Sequence, residues 1–242
     1  MEQVPKPPVE TQAAAPPDDA FAAGLRGGPL GVLVTLVILF TGNVSIGKHG
    51  ELVHVPLGAA LVLLWTWRSR TPWRAIGYAR PRSWIATVAG GVTFGCALKL
   101  VMKAIVMPLL GADPINHAYG FLEGNRGALP AAVWAMLVAG FGEETVFRGF
   151  MFERLGKLMG QGRGARTAIV LLTSAGFGLA HYSIQGLAGT EQATITGLVF
   201  GTIVAVTGRI WMVMIAHAAF DLTALAIIYL SLESRVSHLI FK

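Results

Sequence analysis

Residues 84–110 read WIATVAGGVTFGCALKLVMKAIVMPLL, an apolar stretch interrupted by only two charges, Lys99 and Lys103. About 18–20 such residues cross the ~30 Å hydrocarbon core of a bilayer as a helix, so this run is long enough to span. Similar apolar runs cover about 29–47, 52–67, 129–151, 167–183, 193–208 and 210–232. The pattern predicts an all-α, polytopic membrane bundle of about seven transmembrane helices. No internal repeat is evident.

Composition supports the same class. Of 242 residues 54% are apolar and 13% charged, and the mean hydropathy is +0.61. A soluble domain usually carries about 25% charged residues, and so few could not cover a soluble surface of this size. The net charge of +6 does not indicate nucleic-acid binding, because the cations are grouped. Arg68, Arg70, Arg74, Arg80 and Arg82 lie between two apolar runs, and Arg154, Lys157, Arg163 and Arg166 between two others. Such clusters mark cytoplasmic loops. Loops 68–83 and 152–166 are therefore expected inside with the N-terminus, and loops 48–51, 111–128 and 184–192 outside. Trp65, Trp67 and Trp84 bracket the first cluster, at headgroup depth. Cys96 is the only cysteine, which excludes an intramolecular disulfide or a cysteine-rich zinc site.

Residues 1–28, rich in proline, alanine and acid, read as a disordered N-terminal tail rather than a signal peptide. The transmembrane domain is expected over 29–232 and a short C-terminal tail over 233–242. The size suggests a bacterial inner membrane.

Ionisable groups at membrane depth cost about 2.5–3.5 kcal/mol each on insertion scales. Glu143, Glu144 and Arg148 in the fourth run, His181 in the fifth, and His217 with Asp221 in the seventh therefore need a reason. Lys99 and Lys103 can snorkel or neutralise a buried acid. Glu144 and Arg148 are four apart and share a helix face, whereas Glu143 is rotated about 100° away. If Arg148 holds one carboxylate, the other is left to exchange a proton with water. Each group also has a bland reading: a Glu–Arg clasp, a satisfied core histidine, a helix–helix hydrogen bond. Together, two carboxylates and two histidines on three helices suffice to activate water and stabilise an oxyanion.

Glu143-Glu144-x-x-Phe147-Arg148-Gly149, Phe177-x-x-x-His181 and His217-x-x-x-Asp221 resemble, in order and spacing, the EExxxR, FxxxH and HxxxN motifs of the CPBP intramembrane proteases. That family includes CAAX prenyl-proteases and the bacteriocin-processing (Abi) enzymes, and its third motif often carries aspartate. The resemblance covers roughly 139–222. It implies a helical bundle with a polar cavity opening to the cytoplasmic side, and hydrolysis of a peptide bond near the C-terminus of a membrane-anchored or lipidated protein or peptide. By motif position Glu143 would be the general base with His181, Glu144 and Arg148 would hold the first carboxylate, and His217 with the Asp221 position would stabilise the oxyanion. An ionised aspartate only accepts hydrogen bonds, so Asp221 is read as orienting His217.

No cofactor is expected, although zinc is an alternative, held by Glu143, His181 and His217. No HExxH pattern is present. Other readings are a non-catalytic immunity or scaffold protein of the same fold, and a small proton-coupled transporter, which the lack of inverted halves disfavours. In simple straight spans His181 would sit on the order of 10 Å deeper than Glu143 and His217, which requires a later start or a tilt of the fifth helix.

Overall fold

The computed structural model describes residues 19–43 and 50–241. Among them every regular element is a helix. Asp19 caps α1 (Ala20–Arg26) by accepting from Phe21 N at 3.0 Å, and α1 meets α2 (Gly28–Asn43) at a 57° bend. The tail expected over 1–28 thus lies outside the described residues as far as residue 18, and from residue 20 it is helical. The Arg26 side chain fixes it by donating to Ser69 O at 2.7 Å.

Helix α3 (Gly50–Arg68) follows, then a 3-10 turn at Trp73–Ile76. Helix α4 (Trp84–Val101), capped by Ser83, runs on through a π-helical segment, Met102–Val106, into α5 (Met107–Leu109). A second 3-10 turn, His117–Leu122, leads to α6 (Leu129–Glu144), which Pro130 starts. A second π-helical segment, Thr145–Phe150, joins α6 to α7 (Met151–Met159). The loop expected at 152–166 is therefore largely helix. Helix α8 (Arg163–Thr207) is broken at Gly186, and α9 (Trp211–Tyr229) and α10 (Glu233–Ser237) complete the chain.

Gly186 has φ 63° and ψ −157°, a region essentially reserved for glycine. The expected loop at 184–192 is thus a single-residue break with helix on both sides. This also accounts for the depth mismatch: the fifth and sixth apolar runs form one bent element, with His181 five residues before its bend.

The expected seven spans are not confirmed among the described residues. Among the described residues Trp84–Leu109, Arg163–Thr207 and Trp211–Tyr229 have the length and apolarity to cross a membrane, and the bent pair α1–α2 makes four. Leu33, Phe40, Ile85, Leu171 and Val206 all face outward. So much exposed apolar surface is costly in water, and it fits an integral membrane protein whose solvent is lipid.

Helix α9 is the centre of the bundle, its apolar window being 56% buried against 22% for Trp84–Leu109. It packs on α4 and α6 through small residues, as membrane helices do. A Cβ on Gly140 would lie 2.5 Å from Ala218 N and 2.7 Å from Ala218 Cα, so glycine alone lets α6 approach α9 this closely. The two arginine-bearing segments meet at one end of the bundle, where Arg74, Lys157 and Arg166 line one cleft. Arg154 donates to Arg26 O at 3.0 Å and lies over the Trp65 ring at 4.4 Å, and Trp65 in turn packs edge-on against Phe150.

Gly140→Ala should drive α6 off α9 and cost about 1–3 kcal/mol, the usual penalty of overpacking. Gly90→Ala, where a Cβ meets nothing within 4 Å, should be neutral or slightly stabilising. Thermal unfolding of the two variants in detergent checks the contrast.

Candidate active site

The end of α6 and the π segment after it carry the first motif. A π turn widens the helix, and such segments recur at functional sites. Here Glu144 and Arg148 face each other across the transition, with Nη1 donating to Oε1 at 2.8 Å and neither side chain exposed. The guanidinium also stacks over the Phe177 ring, 4.3 Å from its centroid, so α8 contributes to the clasp. Arg148 Nε, Arg148 Nη2 and Glu144 Oε2 are buried without a hydrogen-bond partner among the described residues. Desolvation of this pair is therefore only partly offset, and its value lies in fixing geometry more than in net stability.

Glu144 Oε1 also accepts from His217 Nδ1 of α9 at 2.8 Å. Because a carboxylate only accepts, Nδ1 carries the proton, and Nε2 is turned toward Asp221 Oδ2 (3.4 Å) and Glu143 Oε2 (3.8 Å). The close partner that orients His217 is thus Glu144, whereas Asp221 sits on the opposite side of the ring. The ring is held between Phe177 and Phe200, with centroids 5.9 and 5.6 Å away.

His181 comes from α8, four residues after Phe177. Its Nδ1 donates to Phe177 O at 2.8 Å, and since a carbonyl can only accept, the tautomer is set and Nε2 is left as an acceptor. Glu143, His181, His217 and Asp221 line one cavity of about 170 Å³ together with Phe177 and Lys99. The adjacent acids of the first motif are therefore separated: Glu143 is 19% exposed on the cavity side, and Glu144 is sealed.

Other residues here escaped the sequence reading. His54 of α3 lines the same cavity, although a histidine in an apolar run is the same signal that marked His181. Tyr78 braces the π segment from the loop before α4. Thr145 Oγ1 donates to Phe141 O at 2.7 Å, so the 2.8 Å contact with Tyr78 has the phenol as donor. Burial pushes the Tyr78 phenol above its usual pKa, which keeps the donor proton in place. The two lysines have different partners. Lys103 Nζ reaches Glu233 at 2.8 Å and Pro114 O at 2.6 Å, and Lys99 Nζ donates to Gln192 Oε1 at 3.0 Å.

Among the described residues no three His, Cys, Asp or Glu side chains converge as a metal-holding group. Glu143, His181 and His217 share the cavity without that convergence.

Fold and site together define a helical membrane protein with a cavity lined by carboxylates and histidines. Residues 125–223 match the family model described as Rce1-like, type II CAAX prenyl endopeptidase. That match contains all three motifs and supports the CPBP/CAAX protease family, and with it peptidase activity in general, for this chain. No curated protein and no solved structure matches the chain.

Arg148→Ala should destabilise the fold by about 3–5 kcal/mol, because it leaves the Glu144 carboxylate buried without its cation. The double variant Glu144→Gln, Arg148→Met should recover much of that loss. A double-mutant cycle on the unfolding free energy checks the coupling.

Proposed function

We propose that the chain is an intramembrane endopeptidase that hydrolyses a peptide bond near the C-terminus of a membrane-anchored or lipidated protein or peptide. The observation that carries this reading is that Glu143, His181, His217 and Asp221, from three helices, line a single cavity inside the segment matched by the protease family.

In this reading Glu143, the carboxylate open to the cavity, takes a proton from a water molecule. His181 Nε2, its Nδ1 proton committed to Phe177 O, accepts a hydrogen bond from the water's remaining O–H and so aims the oxygen lone pair. The hydroxide adds to the scissile carbonyl carbon, whose oxygen becomes the oxyanion. His217 in its imidazolium form donates Nε2–H to that oxyanion while Nδ1–H stays on Glu144. Glu143 then returns its proton to the departing amine as the carbon–nitrogen bond breaks. Glu144 and Arg148 act on His217 as positioning residues. Asp221, 3.4 Å from Nε2, favours the imidazolium that the donation needs. Donors placed before charge develops are worth far more in such a site than in water.

The arginine loops gathered at one end with α1 support a cytoplasmic face there, in keeping with a cell inner membrane.

Glu143→Gln is expected to lower kcat at least 10²- to 10⁴-fold, the usual contribution of a general base, while leaving expression and melting intact. His181→Ala should lose a comparable factor. The assay uses full-length protein in detergent with farnesylated peptides bearing cysteine fourth from the C-terminus, with and without chelator. Cleavage that survives chelator and vanishes in both variants supports the mechanism. Loss with chelator and recovery with zinc would replace it by a metal-dependent one. Full activity of Glu143→Gln would overturn the assignment.

A further inference from the structure

Lys99 and Lys103 are one helical turn apart and both are buried, yet among the described residues only Lys103 has a carboxylate within 4.0 Å. Lys103 Nζ is held by Glu233 and by Pro114 O, and the same Glu233 oxygen takes the Asn116 backbone N–H at 3.1 Å. That lysine ties α10 and the loop before α6 to the π segment Met102–Val106, which is a structural task. Lys99 has no acid within 4.0 Å among the described residues. Its ammonium donates to the neutral amide of Gln192 and lies 4.8 Å above the Phe220 ring. An ammonium has three donors, and a buried cation supported by one amide and a ring is expensive to keep.

Its position suggests what it is for. Lys99 lines the cavity that holds Glu143, His181, His217 and Asp221, and it also lines a neighbouring cavity of about 560 Å³ that continues toward Asn116 and Gln185. That volume is in the range of sites that enclose small organic ligands. The side of the first cavity with Glu143 and Asp221 repels an anion, and the Lys99 side attracts one. A peptide lying across both would be held in one direction only.

We infer that Lys99 is the docking point for a carboxylate at the C-terminal end of the peptide being cut, so that the fragment released lies in the second cavity with its acid end on this ammonium. The inference rests on the protease reading and deepens it: the substrate is a peptide with a free carboxylate end, and Lys99 is a specificity-determining residue. The Gln192 amide orients the ammonium from α8, and the Phe220 ring supports it from α9 next to Asp221, so anchor and reacting groups share helices.

The test measures kcat/KM of the full-length protein on two farnesylated peptides of one sequence, one ending in a free acid and one in a carboxamide. A charge-assisted hydrogen bond predicts about a tenfold or greater preference for the acid. Lys99→Met should remove that preference by slowing the acid alone, and the unchanged carboxamide rate shows that the variant is folded. Gln192→Glu places a carboxylate of the protein on the ammonium and should also erase the preference, while Lys99→Arg should keep most of it. A third peptide, a carboxamide with a terminal aspartate, separates sources: recovery extends the anchor to side-chain carboxylates, and no recovery confines it to the α-carboxylate. Equal cleavage of acid and carboxamide by the wild type would overturn the inference and leave the protease reading standing. So would an equal slowing of both peptides by Lys99→Met, which would make the lysine a counter-charge for Asp221. If the wild type cuts neither peptide, the protease reading falls and the inference with it.

Discussion

The buried contact between Arg148, Glu144 and His217 is the constraint on which the rest of this molecule depends. One carboxylate oxygen accepts from a guanidinium 2.8 Å away and from an imidazole 2.8 Å away, which joins α6, the π segment and α9 at one point. The Phe177 ring beneath the guanidinium adds α8. A charge triad in a low-dielectric interior is poor value as net stability, but it permits very few arrangements of the three helices. The close α6–α9 approach through Gly140 is one way of meeting that demand, and the Tyr78–Thr145 brace is another.

The division of labour between the two adjacent glutamates follows from helix geometry. Neighbouring residues on a helix point about 100° apart, so one can be sealed while the other faces a cavity. Glu144 spends its charge inside the protein, and Glu143 lies on the cavity side. His181 follows the same logic, since the carbonyl four residues back fixes its proton on Nδ1 and leaves Nε2 for the cavity.

Local spacing was the part of the site that could be read from the sequence. Glu144 with Arg148, Phe177 with His181, and His217 with Asp221 are all i,i+4 pairs, and the structure brings each pair together. The motif order pointed to the family later matched over 125–223. What spacing could not show was the long-range pairing. That His217 takes Glu144 as its close partner depends on residues 73 positions apart. The separate tasks of Lys99 and Lys103 depend on partners on α8 and α10, and His54 reaches the cavity only because α3 packs on α6. Segment boundaries failed for a different reason. Hydropathy registers polar interruptions, so it placed a loop at 184–192, where a polar stretch (Ser183, Gln185, Thr190, Glu191) remains helical around one glycine. It also treated 152–166 as loop because its charges mask the helix α7.

The break at Gly186 has a consequence for what surrounds the cavities. A helix interrupted within a bilayer frees backbone amides and carbonyls that hydrocarbon cannot satisfy, and proteins tolerate this only where the exposed backbone meets protein or water. The residues flanking the break, Ile184 and Gln185, line both cavities. The broken backbone at this depth thus adjoins cavities rather than a uniform apolar packing. The same break that interrupts the helix therefore borders the cavity that holds the buried acids.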